Sequence, residues 1–241
     1  MNKFIIIAII ALNMSCLWAN GQSVVCLHGF FRSYKCLIPM SNTLRGEGLD
    51  VYLWDYQSRK KTIEQHAEDL VLLLNKIAAE KPGVPIHFVT HSLGGVIVRV
   101  AVSHPDCPEE AKCGKAVLLA PPNQGSCFAR KFHNIKPVRW VFGKRSGAQL
   151  LDYSCQEMLD IGKFPETVNV VVIAGAQGNR LLWKQPNDGK LSVNETLLDT
   201  PHTHITRYMS HRWIMSSRWT IHFTREFLIH DHLNLQPYIR K

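Results

Sequence analysis

HFVTHSLGGVIVRV, residues His87 to Val100, sets one serine between a β-branched run and two glycines that open an apolar helix. The run before it reads as a strand that begins at Val84 in VPIHFVT. The run after it, from Leu93 to about Ser103, is almost wholly apolar and reads as a buried helix. A strand that turns at once into a helix forces the residue at the turn into a strained conformation and lifts its side chain clear of the sheet. The positions two before and two after the serine must be small, because the turn packs the strand closely on the helix. Gly94 meets that demand. Thr90 stands where the commonest version of this turn has glycine, so tighter packing is expected there. The helix also points its amino end at Ser92, which favours negative charge. The polar residue is therefore read as exposed, as a nucleophile; a serine that merely caps a core helix would not need a second glycine at Gly95.

Working outward, strand and helix alternate. SVVCLHGF (Ser23–Phe30) and LDVYLWDY (Leu49–Tyr56) are strands. Thr62 to Glu80 is the clearest helix: Ile63, Ala67, Leu70, Val71, Leu74, Ile77 and Ala78 form one stripe, Thr62 and Gln65 suit a capping box, and Pro82-Gly83 ends it. KAVLLA (Lys115–Ala120), TVNVVVIAGA (Thr167–Ala176) and HITRYMS (His204–Ser210) are further strands, and Ser217 to His230 is the last helix. Near-continuous apolar strands separated by helices imply an α/β fold, a mostly parallel sheet covered on both faces. Residues 124–165 break the rhythm and read as a cap inserted between two strands. No linker divides the chain, so residues 20–241 are expected to form a single domain that includes the cap.

Length and composition agree: 241 residues, 46% hydrophobic and 20% charged, are those of an ordinary globular chain. Residues 1–19 differ. One lysine, an apolar run from Phe4 to Leu12 and a small residue at Ala19 have the layout of an export signal cleaved near Ala19. The alternative is an uncleaved membrane anchor, although the run is shorter than the ~20 residues that span a bilayer. Cleavage would leave six cysteines, an even number that permits disulfides in an exported protein. Cys107 with Cys113 and Cys127 with Cys155 are the pairs favoured by proximity, with buried free thiols as the competing reading.

A nucleophilic serine needs a base, an acid to orient it and donors for the oxyanion. In this architecture the order is serine, acid, histidine, with the histidine after the last strand. His202 and His204 fall before or within that strand, and His222, His230 and His232 within or beyond the final helix, leaving His211 as the base. The acid candidates are Asp188, Glu195 and Asp199. Asp188 is favoured because its Asn-Asp-Gly turn can hold a carboxylate with backbone N–H groups, although such a sequence also favours turns for backbone reasons alone. The oxyanion amides are assigned to Leu93, after the nucleophile, and Phe30, in LHGFFRS after the first strand. His28 is read as a structural partner of that loop. A zinc site at His202, His204 and His211 lacks a fourth ligand placed by spacing, so neither a metal nor a cofactor is expected.

These segments resemble a known family. VVCLHGFFRS, VTHSLGGVIVR, VLLAPPNQGS and PNDGKLSVNETLL followed by MSHRWIM occur in the order found in small exported α/β-hydrolases of the triacylglycerol lipase/esterase type. The resemblance runs from about Val24 to Leu228. It implies the α/β-hydrolase fold, with nucleophile, acid and base on Ser92, Asp188 and His211, oxyanion amides on Phe30 and Leu93, and hydrolysis of carboxylic esters without a cofactor. The first strands of larger relatives are expected to lack a counterpart here. Acyl transfer or thioester hydrolysis would use the same triad, and an inactive binding protein is the rival from another class. The substrate is expected to be a small-molecule or lipid ester.

The net charge is +9, and Gln124 to Leu151 contains no acid while Arg130, Lys131, Lys136, Arg139, Lys144 and Arg145 are basic. Phe128, Phe132, Trp140 and Phe142 are interleaved. That mixture suits an anionic membrane surface; a solvated basic face over an ordinary cap core is the plainer reading. No nucleic-acid module is present, so no nucleic-acid partner is expected.

Overall fold

The computed structural model describes residues 21–179, 184–230 and 234–239. The segment read as a signal or anchor, His232 and the Phe128 side chain lie outside the described residues. Six strands form one sheet: β1 (Ser23–Leu27), β2 (Asp50–Trp54), β3 (Ile86–His91), β4 (Lys115–Leu119), β5 (Asn169–Gly175) and β6 (Thr203–Arg207). Their order is β2-β1-β3-β4-β5-β6, and each neighbouring pair is parallel. Each strand expected from the sequence is present.

Alternation along the strands divides the core into two layers, because successive side chains leave opposite faces of a sheet. Val25, Leu27, Phe88, Leu118 and Val172 pack against α2 (Ile63–Glu80) and α3 (Leu93–Ser103). Val24, Cys26, Val89, Val117, Val171 and Ile205 pack on the other side against α1 (Ile38–Gly46) and α8 (Arg218–Ile229). All five residues of β1 and all six of β3 are buried. That is why those segments carry few charges and read as mainly apolar. Each fully buried Val or Leu contributes about 1.5–3 kcal/mol. The capping box at Thr62 forms, with the Gln65 N–H donating to Thr62 Oγ1 at 3.2 Å and the Thr62 N–H to Gln65 Oε1 at 3.1 Å.

Between β4 and β5 the chain forms four short helices: α4 (Cys127–Lys131), α5 (Lys136–Phe142), α6 (Ser146–Asp152) and α7 (Cys155–Asp160). Arg99 of α3, wholly buried, holds this cap at its base. Its guanidinium donates to the Met158 carbonyl in α7 and approaches the Asn123 carbonyl at 3.4 Å. A fifth short helix, α9 (Gln236–Ile239), follows α8. Among the described residues no helix is long and apolar enough to cross a membrane.

The cysteine pairings need correction. All six described cysteines are free thiols. Cys127 and Cys155 do meet, but through one nitrogen of Arg130, whose Nη2 lies 2.9 Å from the first sulfur and 3.3 Å from the second.

Three buried histidines and one half-buried make the fold acid-sensitive. Burial is the largest cause in each case: it lowers His28 and His66, lowers His91 well below the usual value, and brings His204 to about 4. A histidine lowered in the folded state leaves the unfolded chain binding more protons in acid. Stability is therefore complete above about pH 6.5 and falls as the pH drops from there toward 4, by up to ~1.4 kcal/mol per pH unit for each such group. Urea midpoints measured across this range should decline steadily, and His204→Gln should flatten the slope.

Candidate active site

The strand order reverses at β1: the chain runs out to β2 on one side and returns to β3 on the other. Ligands of parallel α/β sheets bind outside the carboxyl ends of the strands at such a point. Two loops leave the sheet there, Gly29–Phe30 after β1 and Ser92 after β3.

Ser92 has φ 52° and ψ −122°, a positive φ that a residue with a side chain rarely adopts. Its N–H donates to the Leu119 carbonyl at 2.9 Å and its carbonyl accepts from Gly95 N–H at 3.0 Å, so the turn is fixed from both sides. Close packing explains the small residues around it. A Cβ on Gly94 would lie 2.8 Å from Leu27 Cβ and 2.9 Å from the His28 and Leu27 carbonyl oxygens. Thr90 is fully buried and packs against Gly95, where an added Cβ would come within 3.1 Å of its hydroxyl. Gly94→Ala should therefore push α3 off β1 and destabilise the protein by about 1–3 kcal/mol. A denaturant midpoint at the wild-type value would contradict this packing.

The β1 loop reaches the serine itself: a Cβ on Gly29 would sit 2.9 Å from Ser92 Cβ and 2.8 Å from His91 Nδ1. The amide of Phe30 follows directly. Leu93 opens α3 and is buried. Behind the loop, His28 is buried, stacked on Tyr56 at 4.3 Å, with Nε2 3.0 Å from Asp55 Oδ1. It is held as a scaffold of the loop.

Asp188 and His211 meet. His211 Nδ1 lies 2.7 Å from Asp188 Oδ2, and the His211 N–H donates to the Asp188 carbonyl at 2.9 Å. A carboxylate oxygen only accepts, so Nδ1 carries the proton and Nε2 is left with a lone pair. The other carboxylate oxygen, Oδ1, accepts from the N–H groups of Lys190 and Leu191, both at 2.8 Å. Asp188 is 2% exposed and His211 5%. The other acid candidates have different work. Asp199 pairs with Lys163 at 2.9 Å. Glu195 is buried and accepts from Ser192 N–H at 2.6 Å, from the Ser192 hydroxyl at 2.8 Å and from the Cys127 N–H, joining the Asp188 loop to the start of the cap.

His91 links the two halves of the site. Its Nε2 donates to the His211 carbonyl at 3.0 Å, and the two rings lie 4.8 Å apart. Burial, then the neighbouring His211, then Arg32 and Lys190, hold it well below the usual histidine range, so it is neutral. Sequence reasoning passed over His91; its place directly before the serine was the available signal. Ser92 Oγ makes no hydrogen bond among the described residues, as is common where such a contact tightens only with substrate bound. His204 bonds Thr196 instead, at 2.8 Å, and among the described residues no group of three His, Cys, Asp or Glu side chains could hold a metal.

A parallel sheet with a strained serine turn at its topological switch point and helices on both faces is an α/β-hydrolase fold. Residues 19–150 match the family described as serine aminopeptidase, S33, and the chain belongs to that family. No curated protein matches the chain. Among solved structures, the mature lipase BlEst2 of Bacillus licheniformis is similar, with TM-score 0.71 and 18% identity over 86% of this chain and 91% of that one. The product of lin2722 from Listeria innocua gives TM-score 0.65 at 13% identity, over 89% and 96% of the two chains. A metagenomic carboxyl esterase gives 0.59 at 18%, over 79% and 64%. Identities this low establish a shared fold.

Proposed function

We propose that the protein hydrolyses carboxylic esters through a covalent acyl-enzyme. Ser92 attacks the ester carbonyl while His211 Nε2 takes the hydroxyl proton, and Asp188 steadies the imidazolium that results. The oxyanion is received by the amides of Phe30 and Leu93. The alcohol leaves with the proton from His211, and a water activated by the same nitrogen releases the acid. The observation that carries this reading is the buried 2.7 Å contact between His211 and Asp188, beside a serine held at positive φ. No cofactor takes part. With the signal-like residues 1–19, the reading places the enzyme outside the cytoplasm.

The family's name raises the cleavage of amino-terminal residues from peptides. Holding a substrate ammonium group calls for a carboxylate beside the serine. Here Asp188 is engaged with His211 and two amides, and Glu195 is engaged in the cap junction, so neither is left to hold an ammonium group. A series of p-nitrophenyl esters set against amino-acid p-nitroanilides tests the choice. Turnover of the esters alone is expected; turnover of the anilides alone would overturn it.

A further inference from the structure

Helix α5 is amphipathic in composition yet has no buried residue. Trp140 is 79% exposed, and Val141 and the N-cap residue Ile135 are each 43% exposed. Large apolar side chains left in water on a cap, with Trp140 and Val141 adjacent, mark a surface that meets something. Around it the charge is mainly positive. Lys136, Lys144 and Arg145 are exposed and make no ion pair among the described residues, while Arg139 is taken by Asp152 at 2.6 and 2.9 Å. The fold adds a cation from far away in sequence: Arg59, in the loop after β2, donates to the Trp140 carbonyl at 3.0 Å and lies 5.5 Å over the ring of Phe31.

We propose that this face docks on an anionic lipid bilayer, with Trp140 and Val141 entering the boundary between headgroups and acyl chains and the cations facing lipid phosphates. Charge complementarity selects this occupant. A second copy of the chain would bring the same cations against each other. A bilayer offers anionic groups and an apolar layer in the sequence that a cationic helix with an exposed Trp-Val pair requires. The face is also continuous with the candidate site. Phe142, at the inner end of α5, stacks on Phe30 at 5.3 Å, and Phe30 touches Phe31 at 4.4 Å, so docking would set the oxyanion loop against the lipid surface. The inference stands on the residues of the face and does not require ester cleavage.

The test is co-sedimentation of the full chain with phosphatidylcholine vesicles, with and without phosphatidylglycerol. The quantity read is the ratio of the two affinities, because an apolar N-terminal segment would add to both. A ratio well above one is expected, with about a fivefold loss of binding to anionic vesicles for each cation neutralised. Lys136→Gln with Lys144→Gln should therefore cost about 25-fold on that scale, and Trp140→Ala should weaken binding with the charges intact. A ratio near one, or variants that bind like the wild type, would overturn the proposal. So would self-association without lipid that Trp140→Ala abolishes. Turnover of a soluble short-chain ester should be unchanged in all variants, which shows that they are folded. If the wild type hydrolyses no ester, the catalytic reading fails while the vesicle ratio, with circular dichroism as the folding control, still decides this one.

Discussion

Ser92→Ala is expected to abolish ester turnover, with a loss of about 10⁴–10⁶-fold in kcat, while the protein stays folded. The turn is held by backbone contacts, Ser92 N–H to Leu119 and Gly95 N–H to Ser92, and alanine preserves both. The side chain it replaces makes no hydrogen bond among the described residues, so none is lost. Whatever rate remains would come from the oxyanion amides and from binding. Labelling by a fluorophosphonate should vanish in parallel, and a labelled or active variant would remove the serine from the mechanism.

Asp188→Asn should cost about 10⁴-fold in kcat near neutral pH, and the reason lies in which atoms are already spoken for. Oδ1 accepts two backbone N–H groups, from Lys190 and Leu191. Asparagine can satisfy them only by turning its carbonyl oxygen that way, which points its NH2 group at His211 Nδ1. That nitrogen must then accept, so the proton moves to Nε2, where a lone pair is needed to take the serine's proton. The fold should be little affected, because the amide is nearly the same size. Wild-type kcat in a variant of unchanged denaturant midpoint would show that His211 is oriented by something else.

The strands and the three long helices were legible because periodicity reports burial directly: β1 and β3 are buried along their whole length, and α2 carries one stripe. The Ser92 turn was legible because only a small residue fits at Gly94, where an added Cβ would meet Leu27 and His28. Helix α1 was missed. Its buried face is three residues, Met40, Ser41 and Leu44, only two of them apolar, and Pro39 and Gly46 look like turn residues although Pro39 in fact opens the helix. The four cap helices are five to seven residues long, too short for a period to show. Glu195 and Asp199 could not be separated from Asp188 by spacing, since the difference lies in what each carboxylate touches in three dimensions. Arg99 lay in an apolar run and gave no sign that it joins the cap.

That arginine has a consequence for how the molecule comes apart. A guanidinium sealed from water, whose two terminal nitrogens reach the carbonyls of Met158 and Asn123, would be stranded if α7 lifted away while α3 stayed in place. The base of the cap and the helix that carries the serine therefore tend to melt as one cooperative unit. Loosening the roof at this corner disorders the floor.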